Sequence, residues 1–152
     1  MGAYPNIYID FAKRTLRILE QYDQTEQPAP ENFEVTLLVN CLIGLLVLPQ
    51  QRRNKLIPDI PVDKLADWGI EPGFIESWGT GVRTSRNKQT LRRLVCHLRN
   101  GVCHFRIEAE GTEKDIERLR FSDRNGFRAT IPEDNLKTFA MKFASTLSAS
   151  PE

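Results

Sequence analysis

The segment LRRLVCHLRNGVCHFRIEAE, positions 91 to 110, holds both histidines of the chain, His97 and His104, and between them Arg99, Asn100 and Gly101. Polar groups in an apolar helical run are expensive to bury unless something uses them. An imidazole titrates near neutral pH and can give or take a proton. A guanidinium presents a planar fork of donors matched to phosphate oxygens. Together they suit the cleavage of RNA. A histidine draws the proton from a 2′-hydroxyl or protonates the leaving 5′-oxygen, and an arginine stabilises the charge of the phosphorane-like transition state. On a helix, His97, Asn100, Gly101 and His104 share one face, with the two histidines two turns or roughly 10 Å apart. Arg99 lies about 140° around the axis from His104. It therefore curls toward that face, or serves a cleft formed with a second copy of the chain.

The surrounding charge points the same way. From Ser77 to Ile107 the sequence has Arg83, Arg86, Lys88, Arg92, Arg93, Arg99 and Arg106 and no Asp or Glu, in a chain whose net charge is only +1. The rest of the chain is therefore acidic, and the cationic segment would attract phosphates. Arg92, Arg93, Arg106 and His97 are the expected substrate-binding side chains. Plainer accounts exist for each group. The basic run is a solvated helix face, Arg99 and His104 form a cap or an ion pair, and His97 beside Cys96 is a hydrogen-bonded residue of a packed helix. Zinc is not expected, because ligands two turns apart on one helix cannot share an ion with bonds of about 2.0–2.3 Å. GTGVRTS, Gly79–Ser85, lacks the GK[ST] ending and the preceding strand of a phosphate-binding loop. No cofactor is expected. Gly101 inside a helix costs about 1 kcal/mol against alanine, which fits close approach of another backbone in a helix–helix contact, within the bundle or across a dimer.

Bulk properties set the frame. A chain of 152 residues with 40% apolar and 27% charged residues reads as one globular domain, 1–152. The start lacks a basic stretch followed by an apolar core, and Asn6 breaks a myristoylation pattern. Val35–Leu48 is too short for a bilayer span of roughly 20 residues and reads as a buried helix. Cys41, Cys96 and Cys103 form no C-x-x-C pair, which predicts reduced, buried thiols and a cytoplasmic protein.

The elements that must position the motif follow from periodicity. Ile7–Tyr22 is an amphipathic helix with Ile7, Phe11, Leu16, Ile18, Leu19 and Tyr22 as its stripe and Asn6 as its cap. A polar loop leads to a second helix, about Phe33–Leu48. Residues 50–87, broken by prolines and glycines, read as a long irregular loop with one short helix near Val62–Trp68. Trp68 and Trp78 pin that loop to the core. A third helix, about Lys88–His104, carries the motif. FRIEAE, IERLRFSD and FRATI then alternate, with Asn125-Gly126 as a hairpin signal, and predict a three-stranded antiparallel meander over about 105–131. A closing helix, about 133–147, has Leu136, Phe139, Phe143 and Leu147 on one face, and the last residues fray. The fold class expected is mainly α, of α+β type: a helical bundle with a small β meander.

Arg99-Asn100-Gly101-Val102-Cys103-His104 has the form R-N-x3-H, an R-x4-6-H motif with a polar residue after the arginine, near the end of a core helix. In this the chain resembles the HEPN superfamily, and within it the small bacterial, plasmid- or mobile-element-borne HEPN nucleases. The likeness extends through FAKRTLRILEQY, EVTLLVNCLIGLLVLPQ, LRRLVCHLRNGVCHF, the strands and the closing helix. The resemblance implies a metal-independent endoribonuclease that leaves 2′,3′-cyclic phosphates. It implies a homodimer in which two motif helices face each other. Arg99 and His104 would be catalytic and Asn100 would orient them. A role as toxin or phage-defence effector follows by analogy. Superfamily toxins that pair with a nucleotidyltransferase antitoxin often carry R-x4-H-x-Y. Here Arg106 stands in place of the tyrosine, which puts such a partnership in doubt. The superfamily also contains non-catalytic modules that bind RNA, nucleotide or a protein partner, and a purely structural dimer is a third reading.

Overall fold

The computed structural model describes residues 7–25, 34–47, 56–80, 89–112 and 116–149, with the side chain of Tyr8 excepted. Four helices and four strands follow in the order α1 (Ile7–Gln24), α2 (Glu34–Val47), β1 (Ile75–Trp78), α3 (Leu91–Cys103), β2 (Ile107–Gly111), β3 (Ile116–Ser122), β4 (Phe127–Pro132) and α4 (Glu133–Ser148). The expected Asn6 cap, Arg83, Arg86, Lys88 and most of Gly79–Ser85 lie outside the described residues.

Helix α1 turns Ile9, Ala12, Thr15 and Leu19 inward. These recur every three or four residues, as one helix face requires. Phe11 and Leu16 lean on the same core. Ile7 and Ile18, expected in the stripe, instead remain 55% and 46% exposed. The small Ala12 and Thr15 set the inward row and let α4, the main partner of α1, come close. Helix α2 buries Leu38, Cys41, Leu42, Leu45 and Leu46 against α3 and α4. A side chain at Gly44 would run into the Phe11 ring, so glycine is what lets α1 and α2 meet there. Among the described residues no helix is long and apolar enough to cross a membrane. Lys137 of α4 gathers the helix ends by pairing with Asp23 and with Glu34. Burial alone would lower its ammonium pKa, but those two carboxylates outweigh burial and raise it.

The region expected to be an irregular loop contains a strand. β1 pairs antiparallel with β4, so the sheet has four strands in the order β1-β4-β3-β2 rather than three. The expected helix near Val62–Trp68 is two short 3-10 turns, Val62–Lys64 and Ala66–Trp68. Trp68 from the second packs against Phe139 and Phe143 of α4. A strand does therefore precede Gly79–Ser85, although the sequence still lacks the lysine of a phosphate loop.

The sheet is one-sided. Leu119, Phe121, Phe127, Ala129 and Ile131 are buried beneath α3 and α4. The outer face is a charged ladder: Arg120 meets Glu110 at 2.6 Å and Glu108 at 3.9 Å, and Arg118 meets Glu110 at 3.7 Å. Cross-strand pairs of opposite charge keep such a face solvated. The Asn125-Gly126 hairpin forms as expected, with Gly126 at φ +86° closing the turn between β3 and β4.

Candidate functional site

Helix α3 begins at Leu91, whose amide donates to the Ile60 carbonyl at 2.8 Å. Leu91, Leu94, Val95, Leu98 and Val102 form its buried side. It ends one residue before His104, earlier than the apolar run predicts, in a left-handed cap. The Phe105 amide donates to Val102 O at 3.2 Å and the Arg106 amide to Gly101 O at 2.8 Å. This pair of bonds is a Schellman motif, with Phe105 in the left-handed position at φ +53°. His104 is the capping residue, its amide still donating to the Asn100 carbonyl at 3.2 Å, and its side chain is exposed.

Gly101 explains why the helix can end against the sheet. A Cβ there would sit 3.1 Å from the Ser122 carbonyl of β3 and 3.7 Å from that of Arg106. The Ser122 amide in turn donates to Arg106 O at 3.1 Å. The glycine was expected at a helix–helix contact; the close approach found within the chain is instead to strand β3.

The polar residues of α3 separate into an outer and an inner set. Outside, Arg99 and Asn100 are half-buried, and an Arg99 Nη2 hydrogen donates to Asn100 Oδ1 at 3.2 Å. His104 follows at the same end of the helix. Inside, His97 is only 7% exposed. Its Nδ1 donates to Asp123 Oδ2 at 2.6 Å. Its ring lies flat on Phe127 at 4.4 Å and edge-on to Trp78 at 6.1 Å. His97 and His104, expected on one helix face, differ in burial: His97 lies against the sheet in the core, and His104 is exposed at the helix end. Nε2 of His97 is buried with no partner among the described residues.

Asp123 is a site residue that sequence reasoning missed. Its Oδ1 accepts the amides of Asn125 at 2.8 Å and Phe127 at 3.1 Å, closing the hairpin turn. Burial pushes its carboxyl upward, but the bonds from His97, Phe127 and Asn125 and the charge of His97 outweigh burial and hold it below the ordinary carboxylate value. The available signal was the aspartate heading the D-R-N-G turn, a residue type that hydrogen-bonds its own backbone two residues on.

The other cations are spread rather than clustered. Arg93 is exposed on the first turns of α3, and the exposed Arg92 sends Nε to the Ile57 carbonyl at 2.6 Å. Arg93 is eleven residues from His104, or about 16 Å along a helix axis. Arg106 is half-buried beside the motif. The cysteines depart from the expected burial. Cys41 is buried, which raises its thiol pKa, Cys96 is intermediate and Cys103 is exposed; all are free thiols. Among the described residues no three His, Cys, Asp or Glu side chains gather as a metal ion would require.

The bundle, the sheet under α3 and the polar end of that helix can be set beside known families. Residues 1–152 match the family model described as HEPN pEK499 p136. No curated protein and no solved structure matches. A match over the whole length, together with a helical domain carrying this α3, makes the chain a member of that HEPN family.

Proposed function

We propose that the protein is a metal-independent HEPN endoribonuclease acting as a homodimer through the α3 ends. The observation that carries the reading is the separation of the α3 polar groups. Arg99, held by Asn100, and the exposed His104 stand at one end of the helix, while His97 is locked inside. In the proposed step an RNA 2′-hydroxyl attacks the adjacent phosphorus. The bond from phosphorus to the 5′-oxygen breaks, leaving a 2′,3′-cyclic phosphate and a free 5′-hydroxyl. The step needs a base for the 2′-hydroxyl proton and an acid for the leaving oxygen. Two facing copies supply one His104 for each task. Arg99 binds the non-bridging oxygens, where negative charge grows, and Asn100 fixes the direction of its fork. In this reading Arg93 and Arg106 bind backbone phosphates of the RNA.

Membership of the HEPN family supports this reading, since the family's modules are typically nuclease- or toxin-like. The nucleophile gives a direct test. RNA in which every 2′-hydroxyl is methylated should resist the protein, whereas the unmodified strand should be cut to cyclic phosphate ends. Cleavage of both strands would refute the mechanism.

A further inference from the structure

Phe105 combines two unfavourable features. It is 88% exposed, the highest among the exposed large apolar side chains of the described residues. It is also the one non-glycine described residue at positive φ, +53°. Glycine usually fills this left-handed place after a helix, and a bulky side chain there is strained. Neither the core nor the backbone favours a phenylalanine here, and the exposed ring is open to a contact from another molecule.

The surroundings favour a nucleobase over a second copy as that contact. Arg99, Asn100, His104 and Arg106 occupy the same helix end, all polar or cationic. The other exposed large apolar residues, Ile7, Ile18 and Val47, belong to α1 and α2. A lone exposed aromatic among charges lacks the contiguous apolar surface that forms the core of a protein contact, so it belongs to the open cleft beside two facing α3 ends rather than to their seam. A base in single-stranded RNA needs only one aromatic face beside cations. We infer that Phe105 is a base-stacking residue, which holds a nucleotide next to the phosphate that His104 acts on. This rests on the RNA reading above.

The test uses the full chain and a short single-stranded 2′-O-methyl RNA carrying 2-aminopurine, whose fluorescence falls on stacking. The parent should bind and quench it. Phe105→Gly should lose the quench and bind roughly tenfold or more weakly. Its melting temperature should rise by a few degrees, because glycine adopts this φ freely. Phe105→Trp should keep the quench and Phe105→Leu should lose it, which separates a π face from mere apolarity. Full affinity and quenching by Phe105→Gly would overturn the stacking role while leaving the RNA reading intact. Conversion of a parent dimer to monomer by Phe105→Gly, with quenching restored at high protein concentration, would make the residue a contact between copies and overturn it too. A parent that binds no RNA would overturn both.

Discussion

His97 on α3 and Asp123 at the head of the β3–β4 turn hold each other in the core, with Nδ1 and Oδ2 2.6 Å apart. The same carboxylate closes the hairpin through the amides of Asn125 and Phe127. One side chain thus joins the helix that carries the motif to the sheet beneath it. His97 is seven residues before His104 but differently placed: it ties α3 to the sheet from inside, while His104 is exposed at the end of the helix.

The acid behaviour of the fold follows from that link. The Asp123 carboxyl lies below its ordinary value when folded. Its stabilisation is therefore present above the unfolded value of about 3.9 and disappears as pH falls through the folded pKa. Asp123→Asn should lower stability at pH 7 by about 2 kcal/mol, the scale for a hydrogen bond to a charged group. Urea unfolding should show the gap to the parent narrowing below about pH 4. A gap that stays constant with pH would mean that the charge of Asp123 contributes nothing.

Gly101→Val tests the contact between helix end and strand. A Cβ at this position would already stand only 3.1 Å from the Ser122 carbonyl, and the valine methyl groups would press on it further. Overpacking of this kind costs roughly 1–3 kcal/mol, which should exceed any gain in helix propensity. Thermal unfolding checks the sign; a variant more stable than the parent would show that the sheet yields freely here.

The bond from Arg99 to Asn100 predicts a graded loss of cleavage. Arg99→Lys keeps the charge but not the fork, and should cost about 100-fold or more in rate, as loss of a transition-state donor does. Asn100→Ala leaves the guanidinium present but unguided, so its loss should be smaller, about tenfold. Single-turnover cleavage rates would measure both. Equal, undiminished rates would remove the pair from the mechanism.

Much of this was legible in the sequence. The four helices, the three strands after α3 and the Asn125-Gly126 turn follow from periodicity and turn chemistry, because each buries one face. β1 was not legible: four residues, Ile75–Trp78, directly after Pro72 and Gly73 give too short an alternation, and their pairing with β4 is set far away in the chain. Ile18 looked like core because a stripe read from one helix does not say which neighbour will cover it. The motif residues were visible as types and spacing. The division between His97 and His104 was not, since it depends on the sheet packed over His97 and on a carboxylate from a distant turn.

The central claim is that His104 performs RNA cleavage without a metal ion. Purified parent and His104→Ala, each shown to be folded, should be incubated with total RNA in the presence of EDTA. The account predicts cutting by the parent, fragments ending in 2′,3′-cyclic phosphate, and a loss of at least about 100-fold in the variant, the scale of a missing general acid or base. Equal cleavage by the two proteins, or cleavage by the parent only after a divalent cation is restored, would contradict it.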